Sequence, residues 1–293
     1  MAYGTPRSEH EIEPYLTDIK RGRKPTEIEV EDLKKRYREI GGRSPLLEIT
    51  AAQASRLEAA LNSKGISARV YFGMRHWHPH ITEAVTEILK LEIRKIVALV
   101  LAPHYSEMSI GEYKITLENS LANSQIEIQF IDNWHNNSLL NYAFKEKVVE
   151  ALKRFPKNVK TEILFTAHSL PERIVKDGEP YPMQLLESCK AVASLVNIET
   201  WSLAYQSAGH TGDKWLEPDI LEALRRLPKH TNVLVVPIGF VSDHLEILYD
   251  IDVQAQAFAR SHGINLLRTE SLNTSPTFIN ALVDVVSSRI TSI

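Results

Sequence analysis

Short apolar runs alternate with amphipathic segments along almost the whole chain. Continuous apolar runs bounded by polar turns are typical of strands that are buried on both faces of a parallel sheet. They predict strands at residues 68–72, 96–101, 126–131, 162–166, 200–205, 232–237 and 264–268. The amphipathic segments predict helices at residues 29–40, 51–63, 82–91, 138–155, 183–196, 219–227, 243–261 and 276–290. This alternation predicts an α/β protein built on parallel sheets.

Composition narrows the class of function. The 34 basic and 37 acidic residues leave a net charge of -3, which provides no electrostatic footprint for nucleic acid. Cys189 is the single cysteine, so an intramolecular disulfide and a Cys-ligated iron–sulfur cluster are both excluded. The sequence shows neither a membrane-spanning apolar stretch of ~18 residues nor the features of a signal peptide. We expect a soluble, unprocessed protein of the reducing cytoplasm.

Two segments about 80 residues apart carry the strongest chemical signal. Phe165-Thr-Ala-His168-Ser-Leu-Pro171 and Val236-Pro-Ile-Gly-Phe240-Val-Ser-Asp-His-Leu-Glu246 each begin as an apolar strand and break into a polar turn. Ligands of open α/β sheets bind where such strands end. His168 and Glu246 are therefore predicted to point at one site, where imidazole and carboxylate can bind a metal ion or accept protons.

Each of these two residues also has a purely structural interpretation. Asp243 to Glu246 fits a capping box, in which the glutamate reaches back to the backbone at the start of a helix. His168 taken alone fits a loop histidine with its hydrogen bonds satisfied. The pairing of the two residues favours the functional interpretation.

Eleven short motifs, in order and at family spacing from residue 1 to the end of the chain, resemble those of the ferrochelatases. They are Met1-Ala-Tyr-Gly-Thr-Pro6, Ile40-Gly-Gly-Arg-Ser-Pro45, Leu101-Ala-Pro-His104, Ala167-His-Ser-Leu-Pro171, Pro180-Tyr-Pro182, Tyr205-Gln-Ser207, Trp215-Leu216, Pro237-Ile-Gly-Phe240, Ser242-Asp-His-Leu-Glu246, Leu248-Tyr-Asp250 and Glu270-Ser-Leu-Asn273.

The resemblance implies two Rossmann-like, doubly wound domains with parallel sheets, as in chelatases. The polar turn at residues 132–137 is the best internal boundary. We therefore expect an N-terminal domain of residues 1–132 plus the returning helix at 276–293, and a C-terminal domain of residues 133–275. Ferrochelatases place an apolar strand before the Ala-Tyr-Gly-Thr-Pro turn, whereas this chain starts at that turn. We expect a misassigned or truncated start, which would expose neighbouring strand edges.

The resemblance also implies the reaction, the insertion of Fe²⁺ as a substrate into a porphyrin during haem synthesis. His168 and Glu246 are then the catalytic and iron-binding residues, with His168 accepting pyrrole protons and Glu246 carrying metal or protons. No prosthetic group is expected. Tyr3 matches a tyrosine that contacts the metal from the face opposite the histidine in enzymes acting on coproporphyrin III, although it also fits a tyrosine packed on the end of a sheet. Coproporphyrin III is the expected substrate, and protoporphyrin IX is the alternative.

Further porphyrin-binding residues follow from the resemblance, each beside a structural alternative. The run Lys20-Arg-Gly-Arg-Lys24 is typical of a solvated surface but suits porphyrin carboxylates, with Lys20 standing where the family has arginine. Tyr37 falls on an apolar helical stripe typical of a core position. The resemblance places six residues around the macrocycle: Lys20, Arg21, Arg36, Tyr37, Ser44 and Tyr113.

Two further clusters are weaker candidates for metal binding. His76, His78 and His80 are interrupted by Pro79 and fit a loop before a helix better than a metal site. Asp250 and Asp252 could guide iron, but a solvated helix face is the favoured interpretation. The expected partners are a porphyrin, ferrous iron and a haem-transfer protein. A non-catalytic haem or tetrapyrrole carrier is the alternative from another class, but it would not need a histidine paired with a carboxylate.

Overall fold

The computed structural model describes residues 1–156, 159–209 and 212–290. Its strands are β1 Lys95–Leu99, β2 Glu127–Ile131, β3 Thr161–His168, β4 Trp201–Gln206, β5 Asn232–Val236 and β6 Asn265–Arg268. Its α-helices are α1 Ile12–Ile19, α2 Glu27–Glu39, α3 Leu46–Ser63, α4 Ile81–Leu89, α5 Glu112–Leu121, α6 Ser138–Leu152, α7 Arg173–Lys176, α8 Tyr181–Leu195, α9 Ile220–Arg225, α10 Gln256–Ser261 and α11 Pro276–Ile290. A 3₁₀ turn covers Glu9–Glu11, and π-helices cover Glu107–Gly111 and Glu246–Ala255.

The chain divides into two compact units. The first unit consists of Met1–Trp134, Ser242–His244 and Asn273–Ile293, and the second of His135–Val241 and Leu245–Leu272. In the first unit β1 and β2 pair in parallel, with Lys95 opposite Glu127. Its core lies between this sheet and the helices α4 and α5, where Val85, Ile110 and Leu117 are buried.

The second unit contains a four-stranded parallel sheet in the order β4-β3-β5-β6. Every residue of β5 is buried, as its uninterrupted apolar sequence predicts for a strand covered on both faces. Leu164, Val233 and Val235 pack there with Ile247 and Ile251 of the π-helix Glu246–Ala255. The strand β3 lies between β4 and β5, so its last residue, His168, lies at the centre of the sheet edge.

Side-chain caps explain several element boundaries. The hydroxyl of Thr26 accepts a hydrogen bond from the Glu29 backbone N–H while Glu29 bonds back to the Thr26 N–H, so a capping box begins α2. Asn137 caps α6 in a similar way through the N–H of Leu140. Polar residues at these positions therefore set where the helices begin.

Two predicted elements differ from those of the structure, and three helices were not predicted. Residues 66–73 lie outside every strand, although 68–72 has the composition of one. The predicted helix 243–261 is a π-helix followed by α10. The helices α1 and α7 were not predicted because they have only eight and four residues, and α5 was not predicted because it lacks a clear apolar stripe.

Candidate functional site

His168 and Glu246 meet at the edge of the sheet in the second unit. Nδ1 of His168 lies 2.9 Å from Oε2 of Glu246. The two side chains are 37% and 31% exposed, so the pair is accessible but partly shielded from water. The residues are 78 positions apart in sequence, and the parallel pairing of β3 with β5 brings them together.

Three neighbouring residues fix this geometry. The hydroxyl of Tyr181 donates to the backbone carbonyl of His168 at 2.8 Å, and Nε2 of Gln206 donates to the carbonyl of Glu246 at 2.9 Å. Gly239 is required by close packing, since a Cβ at that position would lie 2.7 Å from the Cβ of Ala167. The turn after β5 can therefore approach the end of β3 only with glycine there.

The carboxylates control the protonation of His168. Burial alone would lower the pKa of the imidazole, but the charge and hydrogen bond of Glu246 and the charge of Asp250 outweigh it, so the pKa of His168 is raised. Such a pair can hold a proton on the imidazole at higher pH than an isolated histidine. Proton transfer near neutral pH is the chemistry that this arrangement supports.

The π-helix that begins at Glu246 carries a second carboxylate toward the same region. Asp250 is only 5% exposed and accepts a hydrogen bond from the hydroxyl of Ser207. Asp252 forms a two-pronged ion pair with Arg268, at 2.7 and 2.8 Å. The expected solvated face is therefore wrong for Asp250, which adds a buried acidic group near His168.

The capping-box interpretation of the segment 243–246 is also wrong. The backbone N–H of Asp243 donates to Oδ1 of Asn273 at 2.8 Å, so this N–H bonds to an amide oxygen. Glu246 instead directs a carboxylate oxygen at His168 and begins a π-helix. π-helical turns frequently occur at functional sites.

Tyr3 lies in the first unit, on a turn that glycine makes possible. Gly4 has a φ of +105°, and a Cβ there would lie 2.9 Å from the backbone nitrogen of Trp77. The Tyr3 side chain is 43% exposed, and its ring centroid is 4.7 Å from that of His76. Nδ1 of His76 bonds to Oδ2 of Asp18 at 2.8 Å. The phenol of Tyr3 is thus accessible to a ligand.

Tyr113 occupies a different environment, with an exposure of only 4%. The guanidinium of Arg75 lies 5.5 Å from its ring centroid. Burial raises the pKa of the phenol, an effect that Arg75 opposes. Arg75 and Arg21 both pair with the carboxylate of Glu112, at 3.3 and 3.1 Å. Tyr113 therefore belongs to a packed cluster that includes a cation.

The other predicted cations are held by carboxylates. Nζ of Lys20 lies 2.5 Å from Oε1 of Glu29, and this hydrogen bond is the main reason that the pKa of Glu29 is lowered to about 2. Arg36 pairs with Asp32 at 3.0 Å, one helical turn earlier. Exposed pairs of this kind are screened by water and contribute little to stability, so an incoming anion can compete for the cations.

Tyr37 and Ser44 are both 4% exposed and have structural partners. The hydroxyl of Tyr37 lies 2.8 Å from that of Thr5, and Oγ of Ser44 accepts the backbone N–H of Leu46 at 3.3 Å. These contacts stabilise the turn that carries Tyr3 and the start of α3. Any contact with a ligand stays a prediction for these two residues.

The histidine-rich segment serves a helix start. The carboxylate of Glu83 bonds both to Nδ1 of His78, at 3.0 Å, and to the backbone N–H of His80. Among the described residues, no group of three His, Cys, Asp or Glu side chains is arranged to hold a metal ion. The favoured interpretation of a loop before α4 is thus consistent with the contacts.

The structure therefore brings His168 and Glu246 together in one unit, and places Tyr3 and Tyr113 near Arg75 and His76 in the other. Sequence reasoning missed Arg75, Gln206 and Tyr181 as supporting residues. Gln206 and Tyr181 fall within the motifs Tyr205-Gln-Ser207 and Pro180-Tyr-Pro182, so the motifs marked their positions but not their contacts.

Comparisons with known proteins agree with the family resemblance of the sequence motifs. The family model described as Ferrochelatase matches residues 1–290. The chain is 41% identical over 296 residues to "Ferrochelatase" of Herpetosiphon aurantiacus, covering 99% of this chain and 97% of the relative. It is 40% identical over 303 residues to "Coproporphyrin III ferrochelatase" of Geobacillus sp. strain WCH70, covering 99% and 96%.

Solved structures show the fold. SirB from Bacillus subtilis, solved with Fe³⁺, matches with a TM-score of 0.60 at 14% identity over 81% of this chain and 88% of that one. CbiX, the terminal enzyme for sirohaem biosynthesis in denitrifying bacteria, matches with a TM-score of 0.56 at 12% identity over 83% and 93%. These likenesses confirm the predicted α/β chelatase fold. Within the described ranges, no helix combines the length and apolar character that a membrane crossing requires.

Proposed function

The chain belongs to the ferrochelatase family, and from that premise we propose that it inserts Fe²⁺ into coproporphyrin III, with His168 as the proton acceptor and Glu246 as the carrier of metal and protons. Ferrochelatases are lyases of haem biosynthesis that insert a metal ion into a porphyrin. The observation that carries the assignment of roles is the contact of 2.9 Å between the His168 imidazole and the Glu246 carboxylate.

The reaction requires an acceptor for two pyrrole protons as iron enters the ring. In the tautomer in which Nδ1–H of His168 donates to Glu246, the lone pair of Nε2 is free to accept a proton from a substrate. The carboxylate orients the imidazole and stabilises the imidazolium that forms, a role that carboxylates also fill in catalytic triads. The raised pKa of His168 makes it a stronger proton acceptor than an isolated histidine.

The protons must then leave the imidazole of His168, and the metal ion must reach the porphyrin beside it. Glu246 and the buried Asp250 supply two carboxylates on one π-helix, and Ser207 bonds to the second of them. Oxygen ligands of this kind suit a divalent ion in transit, because carboxylates attract the cation without the permanent hold of a closed ligand set. We propose that Glu246 acts first and that Asp250 supports it electrostatically.

The proposed substrate rests on charge and on Tyr3. Coproporphyrin III carries four carboxylates and protoporphyrin IX carries two, so the first makes fuller use of cations such as Lys20, Arg21 and Arg36. Each of these pairs with an exposed or half-exposed carboxylate that a propionate can replace. The accessible phenol of Tyr3 and the relatives named as coproporphyrin III enzymes support the same choice. We propose Tyr37, Ser44 and Tyr113 as further contacts of the macrocycle.

One assay tests both the activity and the substrate. The purified chain is given Fe²⁺ under anaerobic conditions with either coproporphyrin III or protoporphyrin IX, and the loss of free porphyrin is followed by absorbance. We expect a higher kcat/KM with coproporphyrin III. Equal or faster use of protoporphyrin IX would refute the choice of substrate, and binding of both porphyrins without metallation would indicate a carrier.

The cellular setting is part of the proposal. Cys189 is fully buried, and burial raises the pKa of its thiol, which disfavours the reactive thiolate. A free cysteine of this kind fits the reducing cytoplasm. A haem-transfer protein that receives the product stays a prediction.

A further inference from the structure

Two exposed segments of the second unit carry basic side chains and no acidic residue. One segment is the end of α9 with the loop that follows it, and the other is the end of α10 with its following loop. Their exposed basic residues, which we call the basic edge, are Arg225, Lys229, His230, Arg260 and His262. The chain has 37 acidic residues, yet none lies within residues 223–242 or 253–269, which include both segments. Positive charge therefore collects here although the net charge of the chain is -3.

The fold brings the two segments together at one edge of the sheet. The backbone N–H of His230 donates to the carbonyl of Gly263 at 2.7 Å, so the two loops are in contact. They lead into the starts of β5 and β6, which pair in parallel from Asn232 onward. Thr161, the first residue of β3, lies opposite Asn232, whereas His168 is the last residue of β3. At about 3.3 Å per strand residue, His168 is therefore about 23 Å from the basic edge along the strand direction.

The cations of the basic edge are not neutralised by carboxylates. Among the described residues, Arg225, Lys229 and Arg260 form no ion pair, whereas the neighbouring Arg226 is held by Glu222 one helical turn earlier. Cations at the C-terminal end of a helix interact favourably with its dipole, which gives Arg225 and Arg260 a structural role. This role does not extend to Lys229, which lies beyond the end of α9. The basic edge thus presents positive charge that a partner can bind.

An aromatic contact fixes the orientation of Arg225. The guanidinium carbon of Arg225 lies 5.5 Å from the centroid of the Phe258 ring. The His262 ring stacks on Phe258 with 3.8 Å between the centroids and an interplanar angle of 16°. A guanidinium held against a ring is already ordered, so it loses less conformational entropy when it binds a carboxylate. Because an imidazole and a guanidinium already lie against the Phe258 ring, it is a poor platform for the stacking of a nucleic-acid base.

We propose that the basic edge binds an acidic segment of a partner protein, whose Asp and Glu carboxylates contact the guanidinium, ammonium and imidazole groups. Carboxylates match the donors of arginine through two parallel hydrogen bonds, and opposite surface charges steer association and select the partner. A long polyanion such as nucleic acid fits less well, because the chain as a whole is negative. A partner bound here leaves the sheet edge of His168 uncovered, so the enzyme can stay in the complex while it acts.

Fluorescence anisotropy with the full chain tests the proposal. The probe is a short fluorescein-labelled peptide of alternating Glu and Ser, and the matched control peptide has Gln in place of Glu. We expect only the Glu peptide to bind, with a Kd that rises between about 30 mM and about 150 mM NaCl, because added salt screens the charges. The variant Arg225→Gln/Lys229→Gln/Arg260→Gln should weaken binding by about tenfold or more, since three charge-assisted contacts are lost.

Two further variants control for folding and for total charge. Lys229→Gln/Arg260→Gln leaves the aromatic stack intact and should still weaken binding by about threefold or more. Lys64→Gln/Lys176→Gln/Lys190→Gln removes three exposed positive charges elsewhere and should bind the peptide as the wild type does. Thermal unfolding followed by circular dichroism checks that each variant keeps the wild-type fold.

Other outcomes overturn the proposal. A Glu peptide that does not bind, or equal losses in the basic-edge and control variants, would show that the basic edge is only a solvated surface. Tighter binding of an oligothymidylate of the same length would assign the surface to nucleic acid. Dimers in sedimentation that dissociate in the triple variant of the basic edge would assign it to a second copy of the chain. The readout requires no porphyrin or iron, so it stands apart from the test of metallation.

Discussion

Replacing Glu246 with glutamine separates the catalytic role of the carboxylate from its structural role. Glutamine keeps the size of the side chain and an oxygen that can accept from Nδ1 of His168, which lies 2.9 Å from the present carboxylate. The substitution removes the negative charge that raises the pKa of His168 and that is proposed to carry metal and protons. Stability and rate should therefore respond to different degrees.

The expected loss of stability is small. A charge-assisted hydrogen bond contributes roughly 1.5–3 kcal/mol when well buried, and an exposed ion pair contributes about 0.2–1 kcal/mol. With side chains 37% and 31% exposed, the pair lies toward the screened end of this range. We expect Glu246→Gln to lower the free energy of unfolding by about 1 kcal/mol, which corresponds to roughly 2–4 °C in Tm for a unit of this size class.

The rate should fall far more, by about 10²-fold or greater, because a proton-transfer group loses its partner. A lowered pKa of His168 should also move the acidic limb of the pH–rate profile to lower pH, since the neutral imidazole then persists further into acid. Anaerobic metallation of coproporphyrin III between pH 5 and 9 measures both effects. An unmoved limb with a rate within about threefold of wild type would refute the proposed role.

The sign of the pH dependence of stability follows from the same pair. Because folding raises the pKa of His168, the contribution of the pair is present below the ordinary pKa of about 6.5 and is lost as the pH rises through the folded-state pKa. The difference in Tm between wild type and Glu246→Gln should therefore be larger near pH 6 than in alkaline buffer.

Three further substitutions give distinct signatures. His168→Ala should lower metallation by about 10²–10⁴-fold while porphyrin binding, followed by fluorescence titration, persists; near-normal turnover would exclude His168 as the acceptor. Tyr3→Phe should change the visible spectrum of bound iron coproporphyrin, because phenolate is a known axial ligand of haem iron; an identical spectrum would show that the phenol does not reach the metal. Arg36→Ala should reduce the preference for coproporphyrin III over protoporphyrin IX by about tenfold. The control is Arg38→Ala, on the same helix but paired with Glu9 and Glu31, which should leave this preference unchanged. Equal effects of the two substitutions would exclude Arg36 from the porphyrin site.

Much of the fold could be predicted because the strands of the second unit contain short apolar runs. β5 is buried along its whole length, and its sequence Asn-Val-Leu-Val-Val admits few alternatives. The segment 68–72 also contains strand-forming residues, but no strand is present there, since a strand requires a partner as well as a propensity. The π-helix could not be predicted from the sequence either. Its backbone hydrogen bonds join residues five apart instead of four, and the apolar pattern of the segment does not reveal this difference.

The part of the candidate site formed by His168 and Glu246 could be predicted, because both residues follow the ends of strands. His168 and Glu246 follow two strands that are adjacent in a parallel sheet, so their meeting follows from topology. The burial of Asp250 could not be predicted because a carboxylate is normally solvated, and its contact with Ser207 depends on the tertiary structure. Arg75 gave no sequence signal, since its role depends on Tyr113 and Glu112, which are distant in sequence.

The separation of 78 residues between His168 and Glu246 has a consequence for folding. The pair forms only after β3 and β5 have paired across the intervening α7, α8, β4 and α9, which is a contact of high sequence separation. Such contacts form late, because a long loop must be closed before they are gained. During refolding, helical circular dichroism should recover before metallation activity does. Metallation activity therefore indicates that the tertiary structure is complete. A chain whose synthesis stops before Glu246 cannot form the pair.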